Sequence, residues 1–164
     1  AFFAERQAGK IADVPADTPV RPIRRAAVVG AGTMGSGIAA LAASAGIPVV
    51  LLDVPGAAGE PSPAQKGLQR ALKARPAAFM DPAAAALVQT GDTERDLERL
   101  AGCDLVIEAI IEQLEPKRQL FERLERVLRP DAIRTMPDPL ADALACRERT
   151  VKANPKFNAF HVHR

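Results

Sequence analysis

Short apolar runs and helical stretches alternate along the chain from residue 25 onwards. Uninterrupted apolar runs occur at Ala26–Val29, Val49–Leu52 and Leu105–Ile107, and such runs are typical of strands buried on both faces of a parallel sheet. Between the first two runs, Ser36–Ala45 is small and apolar and is followed by Gly46, which predicts a helix and its end. Strand, helix and strand in this order predict a βαβ unit with a right-handed crossover.

Two further segments have the period of amphipathic helices. The first is Ala64–Ala74 and the second starts at Pro116, with charged residues between its apolar positions. The apolar positions of the second segment are Leu120, Phe121, Leu124, Val127 and Leu128. A shorter helix is predicted from Pro82, and additional strands are predicted at Leu87–Thr90 and from Asp131 to Ile133.

This alternation predicts the fold class and the domain organisation. We expect an α/β Rossmann dinucleotide-binding domain, with a mainly parallel sheet and helices on both faces. Residues 1–24 are rich in proline near their end and predict a linker or N-terminal extension. Residues 25–164 then form the domain, of which residues 134–164 are a divergent tail where prolines interrupt any long element.

A glycine-rich turn stands between the first predicted strand and the first predicted helix. Its first glycine allows a tight turn, its second lets a pyrophosphate approach the backbone, and its third lets the helix pack closely. The start of the helix offers free N–H groups and a positive dipole end to phosphates. The turn consists of Gly30, Ala31, Gly32, Thr33, Met34 and Gly35.

Asp53 ends the second predicted strand, where a carboxylate accepts hydrogen bonds from the adenosine ribose of a dinucleotide. A 2′-phosphate would meet a negative charge there, so the residues favour NAD over NADP. An alternative interpretation is that the glycines serve packing alone and that Asp53 only begins a turn. The position of the turn inside a βαβ unit favours cofactor binding.

Composition and charge exclude several other classes of protein. The chain has 164 residues and a net charge of +2, which gives no electrostatic argument for nucleic acid or an anionic membrane. Cys103 and Cys146 are too few for a disulfide framework, and no apolar run reaches the ~18 residues of a membrane span. His161 and His163 alone do not make a metal site. We therefore expect a cytoplasmic protein without metal, nucleic acid or membrane partners.

Two stretches resemble the 3-hydroxyacyl-CoA dehydrogenases of fatty-acid β-oxidation. They are Val28–Ala39, and Cys103–Glu112 continuing through Lys117 to Phe121. The opening Phe2–Arg6 resembles the linker before the dehydrogenase part of multifunctional β-oxidation enzymes. The resemblance implies NAD-dependent oxidation of an (S)-3-hydroxyacyl-CoA to a 3-ketoacyl-CoA, an acyl-CoA substrate, and fusion to an enoyl-CoA hydratase domain in the parent protein.

The resemblance also implies roles for two charged residues. Glu112 and Lys117 match a Glu-x4-Lys pair that contacts the nicotinamide end of NAD in the family. Taken without the resemblance, Lys117 is interpreted as an exposed helix lysine and Glu112 as a first-turn carboxylate favoured by the helix dipole.

The tail departs from the family pattern. Arg134–Pro139 stands where the family has a Ser-Asn-Thr-Ser stretch, and His161 matches the catalytic base only in part. We expect the base's partner glutamate and the helical C-terminal domain to be absent, which predicts an exposed apolar surface and self-association. Two alternatives follow: a catalytically incomplete NAD-binding module, or a dehydrogenase of the 3-hydroxyisobutyrate or 6-phosphogluconate type, several of which prefer NADP.

Overall fold

A computed structural model describes residues 21–135, and these residues contain one sheet of five parallel strands. The order across the sheet is β3-β2-β1-β4-β5. The parallel sheet that the apolar runs predicted is confirmed, including the short strand near Leu87. The strands are β1 Ala26–Val29, β2 Val49–Asp53, β3 Val88–Asp92, β4 Leu105–Glu108 and β5 Ile133–Thr135.

Three α-helices connect these strands: α1 Thr33–Ser44, α2 Pro63–Lys73 and α3 Leu114–Val127. Two 3₁₀ segments, Pro82–Leu87 and Leu97–Gly102, complete the connections, and the second of them was not predicted. No helix within residues 21–135 is long and apolar enough to cross a membrane.

Element ends differ from the sequence prediction by a few residues. Helix α1 begins at Thr33 rather than Ser36, because Gly32 already serves as its N-cap. Helix α3 begins at Leu114, two residues before Pro116, since a proline is tolerated in the first turn of a helix. Strand β5 begins at Ile133, not at Asp131. The predicted linker up to residue 20 and the tail from residue 136 lie outside the described residues.

The core lies on both faces of the sheet, as buried parallel strands require. On one face, Ala27 and Val29 of β1 pack with apolar residues of α3, among them Leu120 and Leu124. On the other face, Val28 packs with small residues of α1 and α2. Alternate residues of one strand therefore contact helices on opposite faces, which confirms the three-layer arrangement.

The carboxyl ends of three strands meet beside the glycine turn. Val29, the last residue of β1, pairs with Leu52 of β2 on one side and with Glu108 of β4 on the other. The strand order reverses between β1 and β4, and in open α/β sheets ligands bind outside the strand ends at such a point. The sheet thus places Gly30, Asp53 and Glu108 close together at the carboxyl ends of its strands.

Candidate dinucleotide-binding site

Two glycines of the turn are required by the fold itself. Gly30 has a φ of +104°, a left-handed conformation that favours glycine. A methyl group on Gly30 would overlap the carbonyl of Ala109, and one on Gly35 would overlap the carbonyl of Gly30. Gly30 therefore packs closely against the peptide that follows β4, and Gly35, at the start of α1, packs closely against Gly30. These two contacts require both glycines whether or not a ligand is bound.

Gly32 has a different environment. A methyl group there would meet no atom within 4 Å among residues 21–135 beyond Gly32 itself and its two chain neighbours, and the backbone φ of −62° suits any residue. The space beside Gly32 is open and lies at the N-terminus of α1, where N–H groups and the helix dipole attract anions. Packing within the fold does not explain why this residue is a glycine. A pyrophosphate held against the backbone in the open space would explain it.

Asp53 is fixed beside this turn. Its Oδ2 accepts a hydrogen bond from the Ala31 N–H at 2.6 Å, and its Oδ1 accepts one from the Val54 N–H at 2.7 Å. The carboxylate therefore stands next to the turn in a defined orientation, with its negative charge at the end of β2. A ribose hydroxyl can donate to such a carboxylate, whereas a 2′-phosphate would be repelled.

Helix α2 supports the turn from the other side, and sequence reasoning missed this contact. The Arg70 guanidinium donates a hydrogen bond from Nη2 to the carbonyl oxygen of Ala31 at 2.6 Å. A methyl group on Gly67, one helical turn earlier, would lie 2.5 Å from the same oxygen. Both the N–H and the C=O of Ala31 are thus held by side chains that lie far away in sequence.

A cluster of three charged side chains, two of them buried, lies at the start of α3. Lys117 Nζ is 2.9 Å from each carboxylate oxygen of Glu112 and 3.3 Å from Oε2 of Glu108. The Lys117 side chain is only 4% exposed, so its interpretation as an exposed helix lysine is wrong. Glu112 precedes the extended residue Gln113 and lies outside the helix, so its first-turn interpretation is also wrong.

The surroundings of Lys117 stabilise its charged form. Burial by itself lowers the pKa of the ammonium, but the hydrogen bonds that it donates to Glu112 and the negative charge of Glu108 outweigh burial, so the pKa is raised above its ordinary value. Glu108 is itself 1% exposed, and the sequence stretch Cys103–Glu112, in which it lies, predicts no role for it. Its position directly opposite Val29 in the sheet places this cluster beside the glycine turn.

Among the predicted site residues, the structure brings together the glycine turn and Asp53 at one place, and Glu112 and Lys117 at another. The segment Ala109–Ile110 connects these two places, because it contacts Gly30 and directly follows Glu108. His161 lies outside the described residues, as do His163 and Cys146. Within residues 21–135, no group of three or more metal-ligating side chains is present.

Comparison with known proteins decides the family. Residues 25–136 match the family described as 3-hydroxyacyl-CoA dehydrogenase, NAD binding domain. The chain belongs to this family. The match runs from β1 through β5, so the cofactor of this domain is NAD. It favours this family over the 3-hydroxyisobutyrate and 6-phosphogluconate types.

Similar proteins extend well beyond the matched region. A probable 3-hydroxyacyl-CoA dehydrogenase from Deinococcus radiodurans is 51% identical over 113 residues, covering 68% of this chain and 33% of that protein. A putative fatty acid oxidation complex trifunctional enzyme from Rickettsia felis is 41% identical, with 68% of this chain and 16% of that protein covered. The chain thus spans a third or less of these relatives, some of which are multifunctional.

Solved structures lead to the same fold. The crystal structure of (S)-3-hydroxybutyryl-CoA dehydrogenase from Ralstonia eutropha is 31% identical and superposes with a TM-score of 0.54. The similarity covers 70% of this chain and 41% of that one. The shared part is the dinucleotide-binding domain described above.

Proposed function

We propose that this 3-hydroxyacyl-CoA dehydrogenase domain is the NAD-binding half of an enzyme that oxidises (S)-3-hydroxyacyl-CoA to 3-ketoacyl-CoA in fatty-acid β-oxidation. The observation that carries the proposal is the open space beside Gly32, next to the fixed carboxylate of Asp53. These two features fit the pyrophosphate and the adenosine ribose of NAD, respectively. When bound, NAD supplies the acceptor for the hydride that leaves C3 of the substrate.

The chain's own residues hold the cofactor and move one proton. The turn from Gly30 to Gly35 binds the pyrophosphate, and Asp53 accepts hydrogen bonds from the ribose. Glu112 and Lys117 contact the nicotinamide end. His161 takes the proton of the 3-hydroxyl group as hydride leaves the same carbon, which is the acid–base step that oxidation of an alcohol requires.

The proposal extends to the setting of the protein. The substrate is an acyl-CoA, and the parent protein carries an enoyl-CoA hydratase domain and has a cytoplasmic location. The relative from Rickettsia felis, a putative trifunctional enzyme of a fatty acid oxidation complex, supports a fusion of this kind. Exposed apolar side chains near the site, Met34, Ile111 and Leu114, support self-association of the isolated chain.

A second candidate is a module that binds NAD without turnover. Both histidines of the chain lie at positions 161 and 163, so no histidine among residues 21–135 can act as the base. The binding half of the site and the catalytic half are therefore separable, and they need separate experiments.

Because the chain has no Trp or Tyr, binding is tested by adding protein to NADH and following the fluorescence of NADH itself, with wild type and Asp53→Asn. Loss of charge-assisted hydrogen bonds should raise the Kd of NADH by roughly tenfold to a hundredfold. The Kd of NADPH should stay the same or fall, since repulsion is removed. Glu122→Gln, which removes an exposed charge on α3, is the matched control and should leave both values unchanged. Equal weakening by both variants, or no NADH binding by wild type, refutes the proposal.

Turnover is tested by following NADH oxidation at 340 nm with acetoacetyl-CoA and a high concentration of protein. Turnover that disappears in His161→Ala supports the dehydrogenase with His161 as its base. Absence of turnover with intact NADH binding supports the second candidate instead.

A further inference from the structure

Glu108 is a buried carboxylate at the strand end nearest to the reversal of strand order, and neither the glycine turn nor the Glu-x4-Lys pair includes it. Its Oε1 accepts a hydrogen bond from the Ile110 N–H at 2.6 Å. Its Oε2 is fully buried and accepts no hydrogen bond among residues 21–135, although it lies 3.3 Å from the Lys117 ammonium. A buried carboxylate is costly unless an opposite charge balances it, so the role of Glu108 lies in its ion pair with Lys117.

Oε1 of Glu108 fixes the peptide segment against which the glycine turn packs. Ile110 and Ala109 follow β4 directly, and their peptide is the one that a methyl group on Gly30 would overlap. A methyl group on Gly35 would also lie 3.3 Å from the Ala109 side chain. By accepting the Ile110 N–H, Glu108 holds this peptide against the turn.

The second oxygen of Glu108 faces a cation whose other partner is accessible to solvent. The side chains of Lys117 and Glu108 are 4% and 2% exposed, whereas that of Glu112 is 62% exposed. Glu112 can leave the ammonium at little cost because water replaces its contacts. Lys117 stays buried after such a move, and a buried ammonium without a counter-ion is strongly destabilising.

We propose that Glu108 is a positioning residue that keeps the Lys117 ammonium charged and in place while the Glu112 carboxylate exchanges from Lys117 to a hydroxyl or amide donor of the bound cofactor. The arrangement of one exposed and two buried charges makes Glu112 the exchangeable member and Glu108 the permanent counter-ion. This inference rests on the proposed function, in which Glu112 and Lys117 face the nicotinamide end of NAD.

The test variant is Glu108→Gln, which keeps the shape and the acceptor for Ile110 but removes the charge. Lys117 then depends on Glu112 alone, so NADH should bind at least about tenfold more weakly at pH 7, which corresponds to about 1.4 kcal/mol. Without Glu108, burial is less compensated and the ammonium loses its proton at a lower pH. The affinity of Glu108→Gln should therefore fall further between pH 7 and pH 10, while that of wild type stays level. Glu122→Gln serves as the control and should behave like wild type.

A double-mutant cycle in urea measures the counter-ion role without any ligand. Glu112→Gln should lower the urea midpoint only slightly, since Glu108 still balances Lys117. Glu108→Gln combined with Glu112→Gln should lower it by more than the sum of the single shifts, because the ammonium then has neither carboxylate. If Glu108→Gln is too unstable to titrate, the addition of Lys117→Met should restore the midpoint but not NADH binding, since both buried charges are gone.

The outcomes separate the inference from the proposed function. Unchanged NADH affinity in Glu108→Gln, an affinity loss that is the same at every pH, or additive urea shifts each overturn the positioning role. Failure of wild type to bind NADH overturns the proposed function and the exchange of Glu112 with it, whereas non-additive urea shifts in the same protein would still establish Glu108 as the counter-ion of Lys117.

Discussion

Gly32→Ala is the sharpest test of where the cofactor lies, because the fold does not require this glycine. A methyl group at this position meets nothing within 4 Å in residues 21–135. As an N-cap, alanine lowers the free energy of unfolding by roughly 0.5–1 kcal/mol relative to glycine. Alanine also restricts the unfolded chain, which raises the free energy of unfolding by about 0.4–1 kcal/mol. The two effects nearly cancel, so the free energy of unfolding should change by less than about 0.5 kcal/mol.

The affinity for NADH should change much more. A methyl group in the open space would keep the pyrophosphate away from the N–H groups at the start of α1. Loss of one hydrogen bond to a charged group costs about 1.5–3 kcal/mol, which raises the Kd by roughly tenfold to a hundredfold.

Gly37→Ala is the matched control, since a methyl group there also meets nothing within 4 Å. Gly37 lies inside α1, so alanine should stabilise the protein by about 1 kcal/mol through helix propensity and leave NADH binding intact. The assay is urea unfolding by circular dichroism together with an NADH fluorescence titration of each variant. If Gly32→Ala binds NADH as tightly as Gly37→Ala, the pyrophosphate does not occupy the open space and the reasoning fails.

Two further predictions concern residues outside the cofactor site. Cys103 is buried, and burial raises the pKa of its thiol. In a Cys146→Ser variant, the reaction of Cys103 with a disulfide reagent should therefore be at least about a hundredfold slower in native protein than in guanidinium. Equal rates would show that Cys103 is accessible. Asp104 accepts hydrogen bonds from the Arg24 N–H and the Arg129 guanidinium, and these lower its pKa. The stabilisation is present above the unfolded pKa and is lost as pH falls through the folded one, so Asp104→Asn should lower the urea midpoint at pH 7 and match wild type near pH 2.

The strands and the main helices could be predicted because each has a local signal. Ala26–Val29 and Val49–Leu52 are continuous apolar runs, and α3 has apolar residues at helical spacing. The second 3₁₀ segment was missed because Leu97 and Leu100 alone do not distinguish a 3₁₀ turn from a loop. Element ends shifted where a cap, not the apolar pattern, decides the first helical residue.

The candidate site was predictable only where a motif encodes it. The glycine turn and Asp53 follow from the dinucleotide-binding pattern, whereas the contact of Arg70 with Ala31 joins residues 39 positions apart and has no local signal. The burial of Lys117 does have a signal in the sequence, which is its spacing from the apolar residues of α3. Lys117 stands three residues before Leu120 and seven before Leu124, on the same face of α3, and that face packs into the core.

The position of β1 at the centre of the sheet has a consequence for the order of assembly. Ala26 pairs with Val49, which is near in sequence, and with Leu105, which is far away. Closing the longer loop costs about 1 kcal/mol more in chain entropy. We therefore expect the βαβ unit of β1, α1 and β2 to form first, both in refolding and as the chain leaves the ribosome. The part of the site that fits adenosine would then form before β4 joins the sheet and brings Glu108 into place. During synthesis, the chain would therefore be able to bind the adenosine part of the nucleotide before the charged residues that face its reactive end are in position.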